Sequence, residues 1–520
     1  MHPNYSRLQS HLMERARHLL RSSVIVIALL GLGKATGLIR LRLISNSFGT
    51  TPAYDAFTSA NQLPEVFVTL ISGGALAAAF IPVYSKYLTD KRSAESLRLA
   101  NSILTLVLAV LGGISAIAIL FASPLSVLLV PGYDSPTQEL TADIMRIILL
   151  QTTLYGLGGV LSSILNAHQH FTIPALAPIT LDIGYLVGLV FFVPTMGVYG
   201  LAWGTVIGGG LNILIHIPAL RRFGFKAALV LDTKMQGVRE IVRLMGPRVV
   251  TLGAIQLMDL FIIRLGSFLL AGHTSAYFYG YQIMQLPETL LGTAIAIVVF
   301  PTMAELYNAG NISGLKSTSM AALRIIWTLT IPASVGLILL GRPAISVFLQ
   351  GGAFTETSTD LVFGVLLFFS VRIIAEASLE ILARLFYAQH DTKTPMYVAL
   401  GWLVTNITLA FLLAGPFGVK GLALASTIAF VVQSLALFIL NRRRLGNLGD
   451  RELMISLGRS LLGAGVMAVI ILLIDQLVDN AFLTVAIGGV TGLITYLAVT
   501  YLAGGREIPT LIRLARNSSN

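Results

Sequence analysis

Apolar runs of about twenty residues recur along the whole chain, each closed by a short polar or charged stretch. That length spans a bilayer as a helix. The runs are continuous rather than alternating, so they predict helices and not barrel strands. On this criterion roughly fourteen spans are expected. They lie near 23–45, 54–84, 97–123, 140–166, 172–193, 197–220, 244–270, 275–304, 317–341, 358–387, 394–415, 418–441, 453–475 and 481–504. Basic residues concentrate in alternate loops: Arg7, Arg15, Arg17 and Arg21 before the first span, Lys86, Lys91, Arg92 and Arg98 after the second, Arg221, Arg222, Lys226, Lys234 and Arg239 after the sixth, Arg442, Arg443, Arg444 and Arg451 after the twelfth, and Arg506, Arg513 and Arg516 in the tail. By the positive-inside rule these loops and both termini are cytoplasmic. The expected organisation is a cytoplasmic segment 1–22, a first lobe 23–222, a cytoplasmic linker 223–243 with an amphipathic piece, a second lobe 244–443, two further spans within 444–504, and a tail 505–520.

The pattern repeats. Ala167, Pro174, Gly197, Gly200, Arg221 and Arg222 recur as Ala388, Pro395, Gly418, Gly421, Arg442 and Arg443, all 221 positions later. Gln62-Leu63-Pro64-Glu65 recurs as Gln285-Leu286-Pro287-Glu288 at nearly the same offset, and Arg42-Leu43 with Ser45 is echoed by Arg264-Leu265 with Ser267. A shared offset of this kind marks duplication. Six spans per repeat give both halves the same orientation. The expected fold class is therefore an all-α polytopic membrane protein with two parallel six-helix repeats, a V-shaped pair of lobes, plus two C-terminal helices. Such repeats are a transporter architecture with the substrate site between lobes.

Composition narrows this further. Of 520 residues, 55% are hydrophobic and 11% charged. Soluble proteins carry about 25% charge. A soluble enzyme, a nucleic-acid-binding domain and a disordered chain are excluded, and the net charge of +11 reads as loop bias rather than as a nucleic-acid signature. The absence of cysteine excludes structural disulfides and thiolate metal sites. No secretory signal is expected, because Lys34, Arg40 and Arg42 follow the first apolar stretch in place of a small-residue cleavage site. No motif supports hydrolysis or phosphoryl transfer, so the chain is not expected to be an enzyme, and no cofactor is expected. Gly208-Gly209-Gly210 reads as close helix packing. His168 and His170 read as loop histidines.

Ionisable groups within spans each need a reason. In the first span Lys34 and Arg42 fall within about 80° of each other, with Arg40 about 120° to the other side of Lys34. Gly31, Gly33 and Gly37 would permit a bend there. Lys34 reads as functional; Arg40 and Arg42 read either as functional or as snorkelling to the interface. In the second span Asp55, Thr58, Gln62, Glu65 and Thr69 form one polar stripe, facing a water-filled cavity or a partner helix. Tyr281, Gln285 and Glu288, with Gln282 beside them, match it in the second lobe. Pro64 and Pro287 are expected to kink these helices. Arg372, Glu376, Glu380 and Arg384 stand four apart and read as an ion-pair ladder. Asp259, Asn406 and Thr427 would bind a sodium ion or carry a proton, unless Asp259 only pairs with a neighbouring arginine.

Several segments resemble a known family. Gly37-Leu38-Ile39-Arg40, Phe48-Gly49, Asp55-Ala56-Phe57, Leu63-Pro64, Gly73-Gly74-Ala75 and Phe80-Ile81-Pro82 are similar to the opening of the MurJ (MviN) family of lipid II flippases, within the superfamily of multidrug, oligosaccharidyl-lipid and polysaccharide exporters. Leu165-Asn166-Ala167, Pro174-Ala175-Leu176-Ala177-Pro178, Phe386-Tyr387-Ala388 and Asp391-Thr392-Lys393-Thr394-Pro395 resemble its later signatures. The resemblance implies a role in peptidoglycan biosynthesis and cell shape: transport of lipid II, an undecaprenyl-diphosphate glycopeptide, across the bacterial cytoplasmic membrane. It implies lipid II and membrane lipids as partners, with cell-wall synthesis proteins beside them and no nucleic acid. Family cations thought to hold the diphosphate match at Lys34 and Arg40, and a family acid matches at Asp55. The chain departs from the family at Val68 and Gln282, where arginines are frequent, and at Gly73 and Leu41, where acids are. Arg42 and Arg264 would supply the missing charge, and Gln62, Glu65 and Gln282 complete the expected substrate site.

Other readings use the same features. A flippase for another polyprenyl-diphosphate glycan of the O-antigen type would employ the same cations. A cation-coupled drug exporter would prefer an acid-lined cavity. A non-transporting scaffold for cell-wall synthesis would need no cavity cations.

Overall fold

The computed structural model describes residues 29, 31–72, 74–90, 93–505 and 507. The expected segment 1–22, Gly73, Lys91, Arg92 and the tail cations Arg506, Arg513 and Arg516 lie outside the described residues. The described chain is helical; one isolated bridge joins Gly351 and Phe354. After α1 (31–48) come α2 (Pro52–Ile71), α3 (Gly74–Thr89), α4 (Ser93–Leu120), α5 (Ala122–Leu129), α6 (Ser135–Ala167), α7 (Thr172–Val187), α8 (Val193–Met196) and α9 (Val198–Arg222). The second half runs α10 (Gln236–Gly266), α11 (His273–Glu288), α12 (Ala294–Asn308), α13 (Ile312–Leu349), α14 (Glu356–Ala388), α15 (Lys393–Leu445), α16 (Asp450–Leu477) and α17 (Ala481–Leu502).

Eleven helical stretches among the described residues are long and apolar enough to cross a membrane. One of them, α15, has 53 residues. Straight, it would reach about 80 Å, far more than a bilayer needs. It is two helices that meet at Gly418 (φ 59°, ψ −140°). Gly197, 221 positions earlier, has the same conformation (φ 57°, ψ −135°) between α8 and α9. Only glycine adopts that conformation without strain. The count of fourteen further requires α1 and α10, which are not among the eleven.

The duplication is visible in other local geometry. Gln169 and His390, also 221 apart, are the two non-glycine residues with positive φ (58° and 60°) among the described residues. Each follows the end of a long helix, α6 or α14, where a left-handed residue stops the helix. The same two helices start on equivalent caps. Asp134 accepts from the Thr137 backbone N–H at 3.3 Å, and Thr355 accepts from that of Ser358 at 3.4 Å.

Two compact units result. The first comprises the chain to Phe48 with Pro52–Leu260; the second comprises Gly49–Thr51 with the chain from Phe261 onward. This division falls inside α10 and not in the expected linker 223–243. The reason is that α10 begins at Gln236, and its first turns join the core of the first unit through Val238 and Ile241, beside Phe80, Leu99, Ile103 and Ile164. Helices α7 and α9 of this unit touch backbone to backbone. A Cβ on Gly184 would collide with the Gly204 carbonyl oxygen, and one on Gly188, the residue after α7, would stand 2.7 Å from that of Gly200, so small residues set this crossing. Gly208 and Gly209 pack closely as expected, against Leu181 and Leu154, while Gly210 is open. In the second unit a five-residue π turn, Thr289–Thr293, begins two residues after Pro287. The proline supplies no backbone donor to the turn before it.

Candidate functional site

The first unit builds a polar cluster where α1 packs on α7. Gly33, Thr36, Gly37 and Arg40 follow one another at steps of three, one and three, so they share one helix face. A Cβ on Gly33 would face Ile179 at 3.6 Å, and one on Gly37 would face the Asp182 carboxylate at 4.0 Å. Both glycines lie on the face that α1 turns to α7. The packing delivers Arg40 to α7. Its Nη1 lies 3.0 Å from Asp182 Oδ1. The Thr36 hydroxyl donates to Asp182 Oδ2 at 2.6 Å. The Arg40 guanidinium stands 4.9 Å from the centre of the Tyr185 ring, within range of a cation–π contact. The Asp182 side chain is 7% exposed and that of Arg40 24%. Glu65 of α2 and Tyr155 of α6 lie within electrostatic reach of Arg40.

Asp182, Thr36, Tyr155 and Tyr185 were not among the expected site residues. Asp182 carried a readable signal, since it is an ionisable residue in the middle of the span 172–193. Pairing with it changes what Arg40 can do. The cation is not free, and with Glu65 nearby the cluster holds two carboxylates and one guanidinium.

The remaining expected residues occupy several environments. Lys34 is exposed and forms no ion pair among the described residues. Arg42 is half-buried, and it and Asp55 each have polar or electrostatic partners. Asp55 and Gln62 are buried while Glu65 is exposed, with Asn61 donating to it at 3.4 Å. The stripe along α2 therefore shares one face but not one environment. Arg264 is half-buried and also partnered. Its carbonyl accepts from Ser267 at 2.7 Å, as that of Arg42 accepts from Ser45 at 2.8 Å. Gln282 is half-buried.

In the second unit the ladder on α14 forms as two separate pairs. Arg372 grips Glu376 with two nitrogens, at 2.9 and 3.3 Å, and Glu380 pairs with Arg384. Arg372 also donates to Ser426 at 3.0 Å and stands 4.0 Å from the Phe430 ring centre. Buried and held on several sides, it is a fastening between α14 and α15. Glu288 is buried beside this ladder and accepts from Thr293 at 3.1 Å.

The expected coupling residues divide between the units: Asp259 lies in the first, Asn406 and Thr427 in the second. Asp259 is half-buried and partnered. Asn406 is buried with its side-chain oxygen lacking a hydrogen-bond partner among the described residues, as is the Trp402 indole nitrogen one turn away. Thr427 donates to the Phe368 carbonyl at 2.9 Å. Among the described residues no group of three or more histidines and acids is placed to hold a metal ion. His168 stacks on Phe223 at 4.6 Å, and burial moves its pKa below the usual histidine value.

Duplicated helical halves, small-residue helix crossings and a charged pair inside a spanning unit define a polytopic transporter fold. Two solved structures share it. A structure titled "Lipid II flippase MurJ, inward closed conformation" superposes with a TM-score of 0.80 at 23% identity, covering 92% of this chain and 98% of that one. An inward-facing multidrug resistance MATE transporter of the MOP superfamily gives 0.68 at 15% identity, covering 82% and 99%. In sequence, the lipid II flippase MurJ of Burkholderia cenocepacia is 26% identical over 435 residues, 82% of this chain and 84% of the relative. A "probable lipid II flippase MurJ" of Rhizobium tropici is 27% identical over 497 residues, 92% and 93%. The profile of the family described as "Lipid II flippase MurJ" matches residues 44–488. The chain belongs to the MurJ family of lipid II flippases.

Proposed function

We propose that this protein moves lipid II from the inner to the outer leaflet of the bacterial cytoplasmic membrane by alternating access, with Arg40 as the principal cation for the headgroup diphosphate. The family match over residues 44–488 carries the choice of substrate. The geometry supports the choice of Arg40, because α1 holds it at the edge of a polar cluster with its guanidinium partly accessible. A diphosphate entering this cluster would offer oxygen acceptors in place of those of Asp182, and charge-assisted bonds to arginine suit it. Lys34, exposed on the same helix, and the half-buried Arg42 and Arg264 are secondary cations in this reading. Asp259 in the first unit, and separately Asn406 with Thr427 in the second, are proposed to bind a coupling sodium ion or carry a proton; the unpartnered Asn406 oxygen supports the second.

The test is lipid II translocation in bacterial cells depleted of their own flippase, with the parent chain and Arg40→Ala expressed at matched membrane abundance. Rescue by the parent alone is expected. Rescue by both removes Arg40 from the mechanism. No rescue by a well-inserted parent removes lipid II as the substrate. Both termini are proposed to be cytoplasmic, so cysteines introduced at Thr50 and Thr233 should label from opposite sides of the membrane.

A further inference from the structure

The linker between α9 and α10 lies against the side of α4. Residues 225–232 have no regular secondary structure, yet their backbone is bonded at every second position. The Asn101 amide nitrogen donates to the Lys226 carbonyl at 3.0 Å, and its oxygen accepts from the Ala228 N–H at 3.0 Å. Thr105 Oγ1 accepts from the Val230 N–H at 3.1 Å, and Ser102 Oγ from that of Asp232 at 3.3 Å. Arg98 pairs with Asp232 at 2.9 Å. Asn101 and Ser102 are buried by this contact. It explains why an apolar span carries three polar side chains on one face.

With its backbone held on α4, the linker leaves Leu229 81% exposed and Leu231 56% exposed, while Val230 and Asp232 are half-buried. Depth follows from the helix rise. Thr105 lies seven residues, about 10 Å, beyond Arg98 along α4. Arg98 belongs at the polar interface, and the headgroup layer on each side of the hydrocarbon is only about 5–8 Å thick. The linker therefore reaches the hydrocarbon boundary. Irregular backbone at that depth needs partners for its polar groups, and Asn101, Ser102 and Thr105 supply them to four of the linker's. Around it Arg221, Arg222, Lys226, Lys234, Arg239 and Arg243 are all exposed. Within 221–243 the acids are Asp232, already held by Arg98, and Glu240; Glu95 stands one turn before Arg98 on α4.

We infer that residues 223–235, between α9 and α10, form an anionic-lipid anchor, with Leu229 and Leu231 inserted among acyl chains and the surrounding cations on phospholipid headgroups of that leaflet. Apolar insertion combined with basic flanks is the chemistry of interfacial anchoring. A soluble partner would instead meet these leucines in water, beyond the headgroups.

The chain has no native cysteine, so a single probe can be placed cleanly. Leu229→Cys, labelled with bimane in the full-length protein, would be reconstituted in nanodiscs containing brominated phosphatidylcholine, with or without phosphatidylglycerol. Val490→Cys on α17 is the lipid-facing control and Ser313→Cys the aqueous one. Quenching at position 229 within twofold of that at 490 is expected, rising with phosphatidylglycerol and falling when Lys226→Gln and Lys234→Gln are added. Quenching no greater than at position 313 in both lipid mixtures overturns the anchor. Quenching that ignores the anionic lipid overturns the role of the cations.

Discussion

The Arg40–Asp182 pair makes a counterintuitive prediction: removing the acid should strengthen binding of an anionic headgroup. At 3.0 Å and an effective dielectric constant of about 20, the gross attraction is roughly 5–6 kcal/mol. Most of this offsets the desolvation of two partly buried ions. What a diphosphate must displace is a charge-assisted bond, worth about 1.5–3 kcal/mol net. That handicap corresponds to roughly 10–100-fold in affinity. Asp182→Asn removes the competing charge but leaves an acceptor for Thr36. Binding of farnesyl diphosphate to the protein in nanodiscs should tighten by about tenfold, the lower end of that range.

A double-mutant cycle isolates the effect. The gain should vanish in the Arg40→Ala background, where Asp182 has no guanidinium to occupy. Translocation by Asp182→Asn should nevertheless slow, because the acid no longer reclaims Arg40 and so assists release. Equal or weaker binding by Asp182→Asn, in protein of unchanged thermal stability, would refute the view that Asp182 competes with substrate. A gain that persists without Arg40 would show that only the general field of the cluster had changed.

Other consequences are more local. Arg372→Ala leaves the half-buried Glu376 without its partner and should cost about 3 kcal/mol, the lower end for a broken buried pair, read as a clear fall in the detergent melting temperature; an unchanged melt would show that Arg372 is not a fastening. Gly188→Leu places a branched side chain where the Gly200 carbonyl already sits at 2.7 Å from an ideal Cβ, so poor membrane accumulation is expected on quantitative blots, with Gly210→Leu tolerated. Asp391, between α14 and α15, accepts from the Thr394 backbone N–H and hydroxyl and pairs with Arg444, which hold its pKa down at about 2. A depressed carboxyl contributes stability that is complete above its unfolded pKa, 3.8, and is lost as pH falls toward about 2. The difference in melting temperature between parent and Asp391→Asn should therefore be constant from about pH 5 to 8 and shrink below about pH 4. A difference that grows on acidification would contradict this.

Much of the architecture is legible in the chain itself. Apolar run length determines that helices span, because lipid offers no partners for an unsatisfied backbone. A fixed offset of 221 positions reveals the duplication, and it reappears in the backbone angles of Gly197 and Gly418 and of Gln169 and His390. The i, i+4 spacing on α14 was enough to foresee the pairs of Arg372 with Glu376 and Glu380 with Arg384, since partners on one helix are set by periodicity alone. The site was less legible. Arg40 could be singled out, but its partner Asp182 lies 142 positions away on another helix, and no one-dimensional pattern relates the two. Nor could spacing tell that Gly37 faces Asp182, or that Asn101, Ser102 and Thr105 bind a linker more than a hundred positions on. Sequence determines which residues cannot face lipid unaided. Tertiary structure decides which neighbour relieves each of them, and so whether a buried cation stands ready for substrate or is already neutralised.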